Sequence, residues 1–304
     1  MASNILLESG TNECEILEFI VGGNHYGINV AKVREILKFP ELTPIPMCHP
    51  NIEGAFSKRG ETVSVINLAR ALGMTERDAS DTNKGRLLMT SFNNFNAGFH
   101  IDEVIGIRRV NWANIIKPDS MIISSSAGLI NGIVTIDERL VLMLDFEGIL
   151  AEIVPEFTTN VTEQLKMLKD TEPKTTPIFY AEDSRLIREN IKSFLIQAGF
   201  TNITAFSNGL ELYNQLLVFK KEKSVKENVG VVITDLEMPQ MDGHRLLKLI
   251  KDDKDLKDIP VIIFSSLIDD QMEIKGQELD ATAQYVKSNP LGLIETIRGL
   301  EGSK

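Results

Sequence analysis

The segment Val231-Val232-Ile233-Thr234-Asp235-Leu236-Glu237-Met238-Pro239-Gln240-Met241-Asp242-Gly243 constrains the fold of this chain more than any other. An unbroken apolar, β-branched run reads as a strand covered on both faces, the environment of a parallel sheet flanked by helices. Asp235 follows at its carboxyl end, and open α/β sheets bind ligands in the crevice beyond those ends. Alone, such an aspartate reads as the cap of the next helix. It is not alone. Pro177–Ala181 reads as a strand ending in Glu182-Asp183 and Ser184, Pro260–Phe264 as one ending in Ser265-Ser266, and Gln284–Val286 as one ending in Lys287. Helical patterns over 184–198 and 243–250 lie between them. Right-handed crossovers carry parallel strand ends to one edge, so carboxylates, hydroxyl and ammonium are expected to converge there.

Crowded carboxylates favour a hard divalent cation, and Mg2+ suits one or two of them together with carbonyl and water oxygens. Beside such a cation Asp235 can attack a phosphoryl group, with Lys287 offsetting charge on the phosphoryl oxygens and Ser265 donating a hydrogen bond. The product is an aspartyl phosphate. Taken singly, Lys287 reads as a solvated surface lysine and Ser265 as a turn residue; their order along the chain ties them together.

With these residues in this order, residues from about 176 to 300 resemble a response-regulator receiver domain. The resemblance implies a five-stranded doubly wound α/β domain. It makes Asp235 the phosphorylation site, Glu182 and Asp183 the acidic pair, Ser265 the switch hydroxyl and Lys287 the phosphoryl-binding lysine. Mg2+ is then held by Asp183, Asp235 and the carbonyl of Glu237, with Glu182 acting mainly through water. Two departures stand out. Ser288 and Asn289 precede Pro290, where the family places a proline directly after its lysine. Gln284 occupies the place of the switch aromatic, with Tyr285 one residue later on the opposite strand face. Glu237 and Leu267 flank the path of an attacking water; Leu267 cannot orient one, while Glu237 can either orient it or exclude it by charge, and the balance leans toward a long-lived aspartyl phosphate.

A receiver ending so close to Lys304 places its output module upstream, and 304 residues accommodate two domains with a core each. A hydrophobic fraction of 43% excludes a disordered chain, and a formal net charge of −11 disfavours nucleic acid and anionic membrane surfaces as partners. No apolar stretch approaches the ~18 residues of a spanning helix, and the N-terminus lacks the features of a signal peptide. Cys14 and Cys48 have no metal-site spacing and read as reduced thiols, so a cytoplasmic protein is expected.

Residues 15–150 carry short apolar segments at 16–21, 26–30, 62–68, 86–91, 97–104, 128–136 and 140–144, punctuated by Gly, Asn and Asp. That spacing predicts a mostly β module with few helices, one of them from Val30 to Lys38. No catalytic motif appears in it, so it reads as a binding module. Tyr26–Leu37, Thr43-Pro44-Ile45-Pro46, Gly54–Leu68, Gly98–Val104 and Gly132–Asp145 resemble, in order, the CheW-like coupling domain of bacterial chemotaxis; Ser57-Lys58 and Asn67 depart from its usual pattern. The resemblance implies two linked five-stranded barrels that bind the chemotaxis histidine kinase and the cytoplasmic tips of chemoreceptors. It places kinase contact near Val33 and Glu35 and receptor contact near Arg59.

The expected division is a coupling domain over 15–152, a connecting helix and linker over 153–176, with Ile153, Val154, Phe157, Val161, Leu165 and Leu168 in apolar register, and a receiver over 177–300. Together the modules resemble the CheV-type family of chemotaxis coupling proteins across nearly the whole chain. The function this implies is an adaptor, not an enzyme, recruited to membrane-associated receptor arrays without membrane insertion and regulated by phosphorylation of Asp235. A phosphate sink with the same chemistry is one alternative. A phosphohydrolase using Asp235 is another, disfavoured because Asp235-Leu236-Glu237 lacks the Asp-x-Asp of haloacid-dehalogenase-like enzymes.

Overall fold

The computed structural model describes residues 12–74, 85–92, 95–119, 121–122, 126, 128–154, 174–268 and 270–301. They fall into two compact units, one drawn largely from residues 14–155 and the other largely from 156–304.

The first unit contains two five-stranded mixed sheets. One has the order β8-β1-β2-β10-β9 and is built from β1 (Glu13–Val21), β2 (Asn24–Asn29), β8 (Glu103–Asn111), β9 (Ile130–Ile136) and β10 (Arg139–Leu144). The other has the order β3-β6-β7-β5-β4 and is built from β3 (Val33–Lys38), β4 (Ile52–Lys58), β5 (Glu61–Asn67), β6 (Arg86–Phe92) and β7 (Phe95–Ile101). The same device links the open edges of both. The segment after edge strand β3 bridges to β4 through Thr43 and Ala55, whose N–H groups each donate to the other's carbonyl at 2.7 and 2.9 Å. The segment after edge strand β8 bridges to β9 through Ile116 and Ile133, at 2.9 Å in both directions. An edge paired in this way no longer offers its backbone to another chain, which is how small barrels remove their edges.

Helix α1 (Leu68–Ala71) begins at Asn67, whose side chain accepts from Arg70 N. Asn caps a helix as well as Asp does, which accounts for its departure from the family pattern. Helix α2 (Phe146–Ile153) is buried along most of its length, with the Phe146 ring 4.7 Å from Phe99, 6.2 Å from Phe19 and 6.5 Å from Phe92, centroid to centroid. Residues of both sheets and of α2 thus share one aromatic core. At the start of the expected connecting segment, residues 151–153 are the last turn of α2, which stops ahead of Pro155 as the steric demand of proline requires. Residues 155–173, the remainder of that segment with most of the linker, lie outside the described residues.

The helix expected from Val30 to Lys38 is not formed. Val30–Lys32 make a single 3-10 turn capped by Asn29, and Val33–Lys38 are strand β3, antiparallel to β6. A register shift between Val33 and Glu35 explains the misreading. The extra residue of a bulge turns an alternation of two into apolar spacings of three and four, which mimic a helix, while pairing with β6 supplies the decisive hydrogen bonds.

The second unit is a five-stranded, all-parallel sheet in the order β12-β11-β13-β14-β15. Its strands are β11 (Ile178–Ala181), β12 (Ile203–Phe206), β13 (Val231–Thr234), β14 (Val261–Ser265) and β15 (Ala283–Val286). Helices α3 (Arg185–Gln197), α4 (Gly209–Glu222), α5 (Val225–Asn228), α6 (Gly243–Asp252), α7 (Asp270–Glu278) and α8 (Pro290–Glu301) connect and follow them. Every residue of the three central strands is buried, while the edge strands β12 and β15 are mostly half-buried. This is the burial expected of a sheet covered on both faces, and the strand order reverses beside β11 and β13, where such folds place their ligands.

Candidate functional site

The site lies at the carboxyl ends of β11, β13, β14 and β15. In-register parallel pairing of Ala181 with Thr234 places the residues that follow, Glu182-Asp183 and Asp235, side by side. Asp235 N donates to Ala181 O at 3.0 Å and Glu182 N to Phe206 O at 3.1 Å, so the ladder carries past the strand ends and fixes the backbone that bears the acids. Glu182 is 1% exposed and Asp235 3%. The carboxylates of Glu182, Asp183 and Asp235 each offer an oxygen within 4.8 Å of the other two.

Lys287 meets this cluster from β15. Its Nζ lies 2.8 Å from Asp235 Oδ2 and 2.8 Å from Glu182 Oε2, with the ammonium buried. Its backbone N–H donates to Ser265 O at 2.8 Å, tying the lysine to the end of β14, where Ser265 is itself buried. The other oxygen of Asp235, Oδ1, accepts from Leu236 N at 2.6 Å. Buried charges persist only when paired and hydrogen-bonded, and one ammonium serves two of the carboxylates here. An anionic, all-oxygen donor set of this kind is what a hard divalent cation such as Mg2+ prefers.

The loop from β13 to α6 needs its glycine. A Cβ on Gly243 would lie 2.0 Å from Asp235 O, and Gly243 N donates to Leu236 O at 2.9 Å, so the loop folds directly over the backbone of Asp235. Asp242 caps α6 by accepting from Arg245 N at 2.8 Å, and its removal from water pushes its carboxyl above the usual range. The neighbouring loop after β12 is laced to this one: Asn208 Nδ2 donates to Gln240 Oε1 at 2.9 Å while Asn208 Oδ1 caps α4. Glu237 is buried in the loop two residues beyond Asp235, and its carboxylate falls outside the three-acid cluster. What the receiver resemblance asks of Glu237 is its carbonyl.

Pro290 is the first residue of α8, where proline is favoured, and Asn289 Oδ1 accepts from Gly292 N. The proline one expects after Lys287 therefore sits at a helix start. Gln284 turns toward α7, donating from Nε2 to Glu273 O at 2.8 Å and lying against Gly276. Tyr285 points the other way, its hydroxyl 2.7 Å from Thr296 Oγ1 on α8 and its ring over Gly292.

Sequence reasoning missed Arg188. From the first turn of α3 its guanidinium donates to Glu182 O at 2.7 Å and Asp183 O at 3.2 Å, and Tyr180 Oη donates to Arg188 O. Burial holds the Tyr180 hydroxyl well above its usual range, so it remains a donor. An arginine one turn into an amphipathic helix carries no signal of its own, because its partners are backbone carbonyls.

In the first unit Val33 and Glu35 lie on edge strand β3, half-buried and exposed respectively, and Glu35 is ion-paired with Lys58. Arg59 occupies the exposed tip of the β4–β5 hairpin in the left-handed region (φ 49°), followed by Gly60 (φ 89°), the pattern of a tight two-residue hairpin turn. The Lys58–Glu35 pair thus sets the two expected contact regions next to each other.

The CheW-like domain family matches residues 15–154, and the response regulator receiver domain family matches residues 178–298. Chemotaxis protein CheV3 of Helicobacter pylori is 32% identical over 302 residues, spanning 94% of both chains. CheV2 of the same organism is 31% identical over 284 residues, 90% of this chain and 88% of the relative. The crystal structure of scaffolding protein TtCheW from Thermoanaerobacter tengcongensis aligns with 44% of this chain and 84% of its own, at 22% identity and a TM-score of 0.40. The fold and the strand-end site define a chemotaxis coupling adaptor that carries a receiver domain. The chain belongs to the CheV family.

Proposed function

We propose that residues 15–152 couple chemoreceptors to the chemotaxis histidine kinase, and that the receiver over 177–300 tunes this coupling by accepting a phosphoryl group on Asp235, with 153–176 as the connection. The observation that carries the reading is the buried constellation of Glu182, Asp183 and Asp235 with Lys287 bridging two of them at 2.8 Å. A chemotaxis kinase as source of the phosphoryl group and receptor tips as partners accord with the CheV and CheW relatives. No helix among the described residues is long and apolar enough to cross a membrane, which suits recruitment to receptor arrays through protein contacts.

In this mechanism Asp183, Asp235 and the Glu237 carbonyl would hold Mg2+, with Glu182 acting through water. The ion supplies charge neutralisation at the phosphoryl oxygens. An Asp235 carboxylate oxygen forms the new O–P bond as the N–P bond of a phosphohistidine breaks, and the departing imidazole nitrogen takes up a proton from solvent. Lys287 follows the charge from carboxylate to phosphoryl oxygen, and Ser265 donates its hydroxyl to another. The new dianion at the ends of β13 and β14 biases how the receiver's surface elements pack. The chain is an adaptor, and the receiver promotes only its own phosphorylation and dephosphorylation. With Leu267 unable to orient water, the aspartyl phosphate is expected to be long-lived; decay within seconds in a radiolabel chase refutes that point.

The test is phosphotransfer from purified phosphorylated kinase with Mg2+, read by mass spectrometry. One acyl-linked phosphate on Asp235, absent from Asp235→Asn, is expected; no modification, or modification elsewhere, removes the reading. In reconstituted arrays Asp235→Asn is expected to lose regulation of kinase output while keeping array assembly, which separates tuned coupling from a phosphate sink.

A further inference from the structure

We propose that Arg188 is a positioning residue of the divalent-cation pocket: by holding the backbone carbonyls of Glu182 and Asp183 it sets the direction in which their carboxylates face Asp235. The inference rests on the reading of that pocket as a Mg2+ site and adds a residue outside its ligand set. The geometry is a reciprocal clasp. Arg188 donates back to Glu182 O at 2.7 Å and Asp183 O at 3.2 Å, and its own carbonyl accepts from Tyr180 Oη. Tyr180 stands on β11 only two residues before Glu182, and Arg188 N donates to Ser184 O at 2.9 Å. Strand end, acidic loop and first helical turn are thereby closed into one unit.

Two consecutive carbonyls held by one guanidinium NH2 group leave their peptide planes little freedom, and the planes determine where the attached side chains point. Without the clasp, three carboxylates within 4.8 Å of one another gain by turning apart. Groups that orient metal ligands in this way contribute roughly 10- to 100-fold to affinity. Charge alone predicts the opposite sign. A guanidinium beside a cation site repels the cation, so removing it tightens binding if Arg188 acts only through charge. The two accounts therefore separate by direction.

The experiment is calorimetric titration of the full chain with Mg2+, paired with the rise in Tm that Mg2+ produces, for wild type, Arg188→Met and Arg188→Lys. Arg188→Met is expected to weaken Mg2+ binding about 10-fold or more. It should shift the Mg2+ concentration needed for a given Tm rise by the same factor, beyond any loss of Tm in chelator. Arg188→Lys keeps the charge but not the planar fork and is expected to weaken binding by an intermediate factor. It carries the same comparison should Arg188→Met fail to fold. Variants that bind Mg2+ as tightly as wild type, or an Arg188→Met that binds more tightly, overturn the role of Arg188 while leaving the pocket standing. A wild-type chain that takes up no Mg2+ removes the pocket itself, and this inference with it.

Discussion

Lys287→Met tests the electrostatics of the site most directly. The lysine ammonium is 2.8 Å from a carboxylate oxygen of both Glu182 and Asp235, and both acids are buried. At an effective dielectric of about 20, each contact at 2.8 Å carries roughly 6 kcal/mol of gross attraction. Much of that offsets the desolvation of the three ions, so the gross figure is not the effect of the mutation. Removing one partner leaves the other charges buried and uncompensated, which typically costs about 3–5 kcal/mol. Methionine keeps the volume and the flexible stem, so a cavity adds little. Amide exchange of the β11 and β13 peptides, followed by mass spectrometry in excess chelator, is the suitable assay because it reads the receiver without the coupling domain. Each 1.4 kcal/mol is a factor of about ten, so protection should fall by roughly a hundred- to several-thousand-fold. Mg2+ should relieve this deficit. The ion takes over the counter-charge, so the deficit should largely vanish and the variant should bind Mg2+ more tightly than wild type. Unchanged protection in chelator, or a deficit that Mg2+ does not relieve, refutes the reasoning.

Gly243→Ala puts a Cβ 2.0 Å from Asp235 O, where ordinary contact begins at 3.4 Å, so about 1.4 Å of backbone movement (3.4 − 2.0) is forced beneath the acceptor. A loss of about 1–3 kcal/mol and a fall in phosphotransfer rate of the order of 100-fold are expected, and wild-type values for both contradict the geometry. Asp242 has its folded pKa raised above the ordinary 3.8, so its contribution to stability is fully present below pH 3.8 and is lost as pH rises through the raised value. Asp242→Asn keeps the cap without a charge to desolvate, so it should match or exceed wild-type Tm at pH 7, with the gap closing on acidification; a lower Tm at pH 7 speaks against this. Tyr285 is anchored to Thr296 and Gly292 on α8, so structures with and without a beryllofluoride group on Asp235 should show Ser265 moving and the Tyr285 rotamer retained, whereas a large ring rotation defeats the idea. Arg59→Ala, at an exposed hairpin tip, should change stability by less than about 0.5 kcal/mol yet reduce capture of kinase or receptor in pull-downs, and unchanged capture ends the contact proposal.

How much of this was legible beforehand depended on what wrote the signal. The three central receiver strands lie under helices on both faces, so each reads as a continuous apolar run, and the crevice beyond shows as a sudden Asp, Ser or acidic pair. Asp235, Glu182, Asp183 and Ser265 were accessible for that reason. Lys287 was too, although its edge strand β15 is only half-buried. Strand β12, Ile203-Thr204-Ala205-Phe206, passed unread because an edge with an exposed threonine has neither an unbroken run nor a clean alternation. In the coupling domain one register shift in β3 rewrote an alternation as a helical spacing, and single-residue bridges at Thr43–Ala55 and Ile116–Ile133 complete the edges without any pattern at all. The same division separates the visible from the hidden in the site. Contacts between side chains leave paired residue types in the sequence, whereas Arg188 on two carbonyls engages backbone that every residue possesses. Gln284 belongs to that second kind: its amide is bonded to a carbonyl of α7, the helix that begins just after the Ser265 loop. The replacement of an aromatic by glutamine is thus read as a loss from the sequence, but in the fold the glutamine attaches α7 to β15, on the strand face opposite Tyr285.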